Sequence, residues 1–296
     1  MVDQPRAWIS ISSDKLTAEI DPHGAQLSVL RDRDGRDLLW NGDAGVWAGR
    51  APLLFPIVGV LAGGSYRLGE KRHALSRHGF ARGKEFTLER ASAVAASFIL
   101  RPDPATLAVY PFQFELRTRY ELNEATLSVR TEIRNHGTAE MPASFGYHPG
   151  FRWPLPYGQT RASHFIQFET DEPGAVRRID ADGLLTATLY PTPIENRRLP
   201  LADSLFQDDV LILDQVKSRS VTYGGSEGCK LRIAFPDAVY LGLWTKPGAP
   251  FICIEPWHGI TDSQGFTGDF TEKPGIFVLK GGATLTAKMD ITLLKG

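Results

Sequence analysis

The segments QFELRTRYEL (113–122) and TLSVRTEIRN (126–135) decide how this chain is read. In both, apolar residues alternate with charged or polar ones, the period-2 pattern of a strand that turns one face to a core. Similar short runs, bounded by turn residues, occur in WISISS (8–13), KLTAEI (15–20), ASFILRP (96–102) and KLRIAF (230–235). Near the end, KPGIFVLKGGATLTAKMDITLLKG alternates well enough for two closing strands. No stretch keeps a clean 3.6-residue period over three turns. The 29 glycines and 20 prolines are spread along the whole chain, so they punctuate turns and mark no linker. The expectation is an all-β chain, with residues 1–296 forming a single domain built as a sandwich or barrel. RDRDGRD (31–37) reads as the solvated tip of a hairpin.

Composition then narrows the function classes. Hydrophobic residues make up 42% and charged residues 23%, the balance of an ordinary globular protein. Lysine and arginine total 33 against 34 acidic residues, a net charge of −1, which leaves no footprint for nucleic acid or an anionic membrane. The two cysteines, Cys229 and Cys253, are too few for a disulfide framework and lack metal-finger spacing. The N-terminal segment lacks a basic stretch followed by an apolar core, and no apolar run reaches about 18 residues, so a soluble cytoplasmic protein is expected.

Three segments set ionisable groups among glycine, proline and aromatic residues: SRHGFARGKEF (76–86), FGYHPGFRWP (145–154) and FICIEPWHG (251–259). In the last, an apolar run ends on Glu255, and an isolated buried carboxylate is costly without partners. Histidine and glutamate form a natural acid/base pair near neutral pH, and the neighbouring rings offer flat faces to a ring-shaped ligand. A metal site built from two histidines and a carboxylate is the sharpest competitor, but the two histidines one helical turn apart are missing, so no metal is expected. No G-x-S-x-G elbow or nucleotide fingerprint occurs. His258 reads as a local structural residue.

Taken as an ordered set, FPIVG (55–59), RHGFAR (77–82), GYHPGF (146–151) and IEPWHG (254–259), with GAQLSVL (24–30) and KPGIFVL (273–279), resemble the aldose 1-epimerase (galactose mutarotase) family, and in particular its bacterial LacX-like branch. The resemblance implies a large antiparallel β-sandwich of the galactose mutarotase-like supersandwich type. It also implies interconversion of the α and β anomers of an aldose without a cofactor, by a monomer or homodimer. By the same resemblance, Glu255 and His148 are the catalytic pair and His78 binds and polarises the sugar. The family's sugar-binding arginine lies near FPIVG; the position after that glycine is Val60 here, which leaves Arg50 as the candidate. The aspartate that binds sugar hydroxyls falls in LFQDDVLIL (205–213), where Asp208 and Asp209 compete and Asp209 is favoured. Pro256 is expected to stop regular strand pairing and present Glu255 at the cleft floor. Two other functions stay open: a non-catalytic sugar binder on the same fold, and a hexose-6-phosphate mutarotase drawing on basic residues such as those at 177–178 or 197–198.

Overall fold

The computed structural model describes residues 7–296. Its largest sheet has nine strands in the order Arg198–Pro200, Phe165–Phe168, Ser220–Gly224, Lys230–Ala234, Thr284–Leu294, Thr126–Asn135, Phe114–Asn123, Ala95–Leu100 and Thr87–Ala91. The two segments that open the sequence reading are its central hairpin, with Leu116 opposite Ile133 and Leu122 opposite Leu127. Their burial alternates as their sequence does. Where that alternation puts polar residues inside, they satisfy each other: the buried hydroxyls of Thr118 and Thr131 lie 3.1 Å apart.

A second sheet runs Leu211–Leu213, Tyr240–Trp244, Phe251–His258, Phe145–Tyr147 and Leu53–Leu54, with Gly150–Arg152 also paired to Phe251–His258. A three-stranded sheet of Ile9–Ser12, Leu16–Asp21 and Gln26–Asp32 adds to the stack, and every registered strand pair in these sheets is antiparallel. The closing segment forms Phe277–Leu279 and Thr284–Leu294. The chain is therefore the all-β antiparallel sandwich expected. Tyr147 ties the two large sheets together: from the second sheet its hydroxyl reaches the Ala287 carbonyl and Thr131 Oγ1 of the first, both at 3.0 Å. A buried hydroxyl without such partners would be costly. The α-helical content is a single six-residue helix, Pro104–Val109, among the described residues, and no helix is long and apolar enough to cross a membrane.

Two local expectations need correction. The 31–37 turn is charged, but Asp32 is buried; its carboxylate accepts from Asp34 N, Arg36 N, the Arg36 guanidinium and the Tyr157 hydroxyl. And Pro256 does not end a strand, because Phe251–His258 runs through it with Pro256 opposite Leu241. The ladder bond the proline cannot make falls opposite Tyr147, the last residue of the short strand Phe145–Tyr147, by the register of Gly146 with Trp257.

Candidate active site

An interruption at His148 and Pro149 builds the site. On its two sides Gly146 pairs with Trp257 and Gly150 with Cys253, so the register sets His148 opposite Glu255. On its other side Glu255 faces Gly242, which has no side chain, and His148 Nε2 lies 3.3 Å from Glu255 Oε2. Both are buried, Glu255 to 1% exposure and His148 to 8%. Burial pushes the Glu255 carboxyl well above its ordinary range, the nearby Trp257 indole opposes this, and the charge of Asp209 adds to it. Burial also pulls the His148 imidazole down, to about 3. Both effects favour uncharged groups, as a dry cavity must.

The pair opens into a cavity of about 180 Å³, lined among others by Trp47, His78, Arg77, Arg82, Asp209 and Thr261. Gly59 N–H donates to His78 Nδ1 at 3.0 Å, which fixes the tautomer that carries its proton on Nε2. Burial lowers the His78 pKa well below the usual histidine range, and His148, Arg82 and Arg77 lower it further, so His78 is a neutral donor. Its positive φ of 66° is held by two strong backbone bonds, His78 N to Gly59 O at 2.7 Å and Phe55 N to His78 O at 3.3 Å. Gly79 follows because a Cβ there would lie 2.2 Å from the Phe55 carbonyl oxygen.

Three tryptophans shape the walls. Trp47 stacks on His148 with ring centroids 5.1 Å apart, and Trp244 meets the same imidazole edge-on at 5.9 Å. Trp257 lies across the sheet between two glycines: a Cβ on Gly242 would come within 2.4 Å of its ring, and one on Gly146 within 2.6 Å.

Of the residues singled out from the sequence, Glu255, His148, His78 and Asp209 line this one cavity. Asp208 does not. Asp209 adopts a φ of 62°, a conformation aspartate tolerates better than most residues, and its carbonyl accepts from Arg178. Arg50 is elsewhere: its guanidinium donates to the Ser28 carbonyl at 2.7 Å and lies 4.8 Å over the Trp8 ring. The arginines of the cavity are Arg77 and Arg82. Arg77 and Val60 both pack near Gly183, where an added Cβ would meet Arg77 Nη2 at 2.6 Å and Val60 Cγ1 at 3.4 Å. Arg82 donates to the Arg77 carbonyl at 2.9 Å. Its pKa is lowered by partial burial and by the charge of Arg77, with no carboxylate to offset either. His258 lies outside the cavity, 3.6 Å from Asp237.

The all-β sandwich that carries this cavity belongs to a known class of proteins. The aldose 1-epimerase family profile matches residues 8–268, and the chain belongs to that family. It is 35% identical to the plasmid-encoded protein LacX of Lactococcus lactis subsp. lactis, over 97% of this chain and 99% of that one. A galactose mutarotase-like protein of Lactobacillus casei superposes with a TM-score of 0.91 at 29% identity, covering 97% of this chain and 100% of its own. A protein named as a putative glucose-6-phosphate 1-epimerase, from Cenchrus ciliaris, is 28% identical over 45% of this chain and 43% of its own.

Proposed function

We propose that the protein is an active aldose 1-epimerase that interconverts the α and β anomers of a free aldohexose. The observation that carries this reading is the buried contact between His148 and Glu255 at the cavity floor. Mutarotation removes one proton from the anomeric hydroxyl and adds one to the ring oxygen. Both oxygens are bonded to C1, so adjacent groups on one wall reach both. Glu255 as carboxylate takes the O1 proton while His148 as imidazolium protonates the ring oxygen. The C1–O5 bond breaks, the aldehyde turns about C1–C2, and closure on its other face reverses both transfers.

The burial of the pair is compatible with this cycle. Carboxylic acid plus neutral imidazole, which burial favours, holds the same single proton as carboxylate plus imidazolium. Transfer between the two residues interconverts these states without a proton from solvent. His78 donates to a sugar oxygen through Nε2–H, Asp209 accepts from a sugar hydroxyl at the rim, and the tryptophans cover the apolar faces of the ring. No cofactor, metal or nucleic acid enters the scheme.

A second reading concerns the substrate. Arg77 and Arg82 are exposed at the cavity, and Arg82 carries no carboxylate counter-charge, an arrangement that suits the phosphate of a hexose 6-phosphate. The printed name of the Cenchrus ciliaris relative points the same way. Polarimetry of freshly dissolved α-glucose, α-galactose and a hexose 6-phosphate tests both readings. Wild type should accelerate at least one of them, and Glu255→Gln and His148→Asn should each lower the rate by about 10²–10⁴-fold. A wild type that binds sugar without accelerating mutarotation makes the protein a binder. With Arg77→Met, a KM raised for the phosphate ester alone supports the phosphorylated substrate, whereas equal losses on both sugars assign the arginine to a hydroxyl they share.

A further inference from the structure

One group beside the acid/base pair has no part in this scheme. Cys253 precedes Glu255 by two residues on one strand, so strand alternation turns both to the same face. One donor atom each from His148, Cys253 and Glu255 lies within 4.8 Å of the other two, and all three residues are buried. We propose that these three side chains form a binding site for a zinc-class divalent cation, and that its occupancy switches anomerisation off.

The donor chemistry fits. Imidazole nitrogen, thiolate sulfur and carboxylate oxygen are the ligands that zinc takes, at roughly 2.0–2.3 Å, so donors around one ion lie under about 4 Å apart. The His148–Glu255 separation of 3.3 Å already meets this span. Drawing in the sulfur takes a movement of about 1 Å, within the reach of side-chain rotation. Three protein ligands leave a fourth position open, the composition of a catalytic-type zinc site, and two of the three, His148 and Glu255, line the sugar cavity. A second observation concerns the imidazole itself: His148 Nδ1 is buried with no hydrogen-bond partner, a donor atom that no protein group uses.

Binding is a ligand exchange without redox change. The Cys253 thiol and the His148–Glu255 pair each release one proton to solvent, the hydrated cation sheds water ligands, and it accepts electron pairs from thiolate, imidazole and carboxylate in their place. The cation then holds the two groups that would move protons. This inhibitory consequence rests on the catalytic reading above; the binding does not.

Zinc titration by calorimetry, cobalt absorption spectroscopy and polarimetry with added zinc test the site on the full-length protein. Wild type should bind one zinc ion, show a thiolate-to-cobalt charge-transfer band, and lose mutarotation reversibly on chelation. Cys253→Ala and Cys253→Ser should keep the metal-free rate while zinc affinity and inhibition both fall at least about tenfold. Equal zinc affinity in wild type and variants, or a wild-type cobalt spectrum without the thiolate band, overturns the site. Tight zinc binding through Cys253 in a protein that never accelerates mutarotation would retain the site and remove the catalytic reading.

Discussion

At the residue scale, Glu255, His148 and His78 were legible as cavity residues because chemistry forced them to look anomalous. A glutamate at the end of an apolar run and histidines beside glycine and proline are visible without a fold. What the sequence hides is which arginines reach the cavity. With Val60 after FPIVG, Arg50, ten residues upstream, is the natural candidate on paper; in space its guanidinium bonds the Ser28 carbonyl, and the arginines that line the cavity, Arg77 and Arg82, come from a different segment. The walls Trp47 and Trp244 were equally hidden, because stacking on His148 depends on a loop and a strand meeting far from their sequence positions. Glycines at the floor yield a sharp prediction. Gly242→Ala drives a methyl group into the Trp257 ring, and overpacking of this kind costs about 1–3 kcal/mol. The expected result is a lower midpoint in urea and a displaced indole that reduces mutarotation; unchanged stability would show that Trp257 yields easily.

At the element scale, strands with clear alternation were read nearly residue for residue, and Thr126–Asn135 coincides with the segment quoted first. The misses were short elements and one stop signal. Proline at 256 reads as a terminator only if the strand beside it runs on, and the register sets it opposite Tyr147, where Phe145–Tyr147 ends. The helix Pro104–Val109 is too short for periodicity to reveal, but it carries a local start signal: Asp103 accepts from Thr106 N, and Thr106 Oγ1 accepts from Asp103 N. Removing such a cap typically costs about 0.5–2 kcal/mol, so Asp103→Ala should lower stability near neutral pH by an amount in that range. The Asp103 carboxyl is held down to about 2, first by the hydrogen bond from Lys84 and then by Thr106 N. A depressed folded pKa stabilises above the unfolded value, about 3.9, and that contribution fades as pH falls toward 2. Urea titrations at pH 6 and pH 2.5 should therefore show the wild-type advantage over Asp103→Ala shrinking at the lower pH. Because Asp103 is nearly half exposed, the ionic share is small beside the cap itself.

At the scale of the whole molecule, the site depends on how distant segments are clamped. The turn at 59–62, the hairpin around Gly183 and the segment after Phe251–His258 come together at Thr261 and Asp262. Thr261 Oγ1 accepts from Val60 N at 3.0 Å and donates to the Gly183 carbonyl at 2.7 Å; Asp262 Oδ2 accepts from Ala62 N at 2.8 Å. Beneath them Lys273, 2% exposed, donates to the Ile260 carbonyl and pairs with Asp262 at 3.1 Å. Gly59, at the far end of this clamp, is the residue that fixes the His78 tautomer. KPGIFVL, which begins on that lysine, was legible only as a member of the ordered family pattern, because a lysine before a proline and a glycine has no reason to be buried until its carboxylate partner is found. Burial lowers the Lys273 pKa and Asp262 opposes the shift. Lys273→Met leaves the Asp262 carboxylate buried and unpaired, and breaking one side of such a pair costs about 3–5 kcal/mol. Lys273→Met with Asp262→Asn removes both charges and should recover part of that loss, since an amide oxygen still accepts from Ala62 N. If the clamp also sets the position of His78, the double variant will recover stability in denaturant titrations more completely than it recovers mutarotation; equal recovery of both would confine Lys273 to holding the fold.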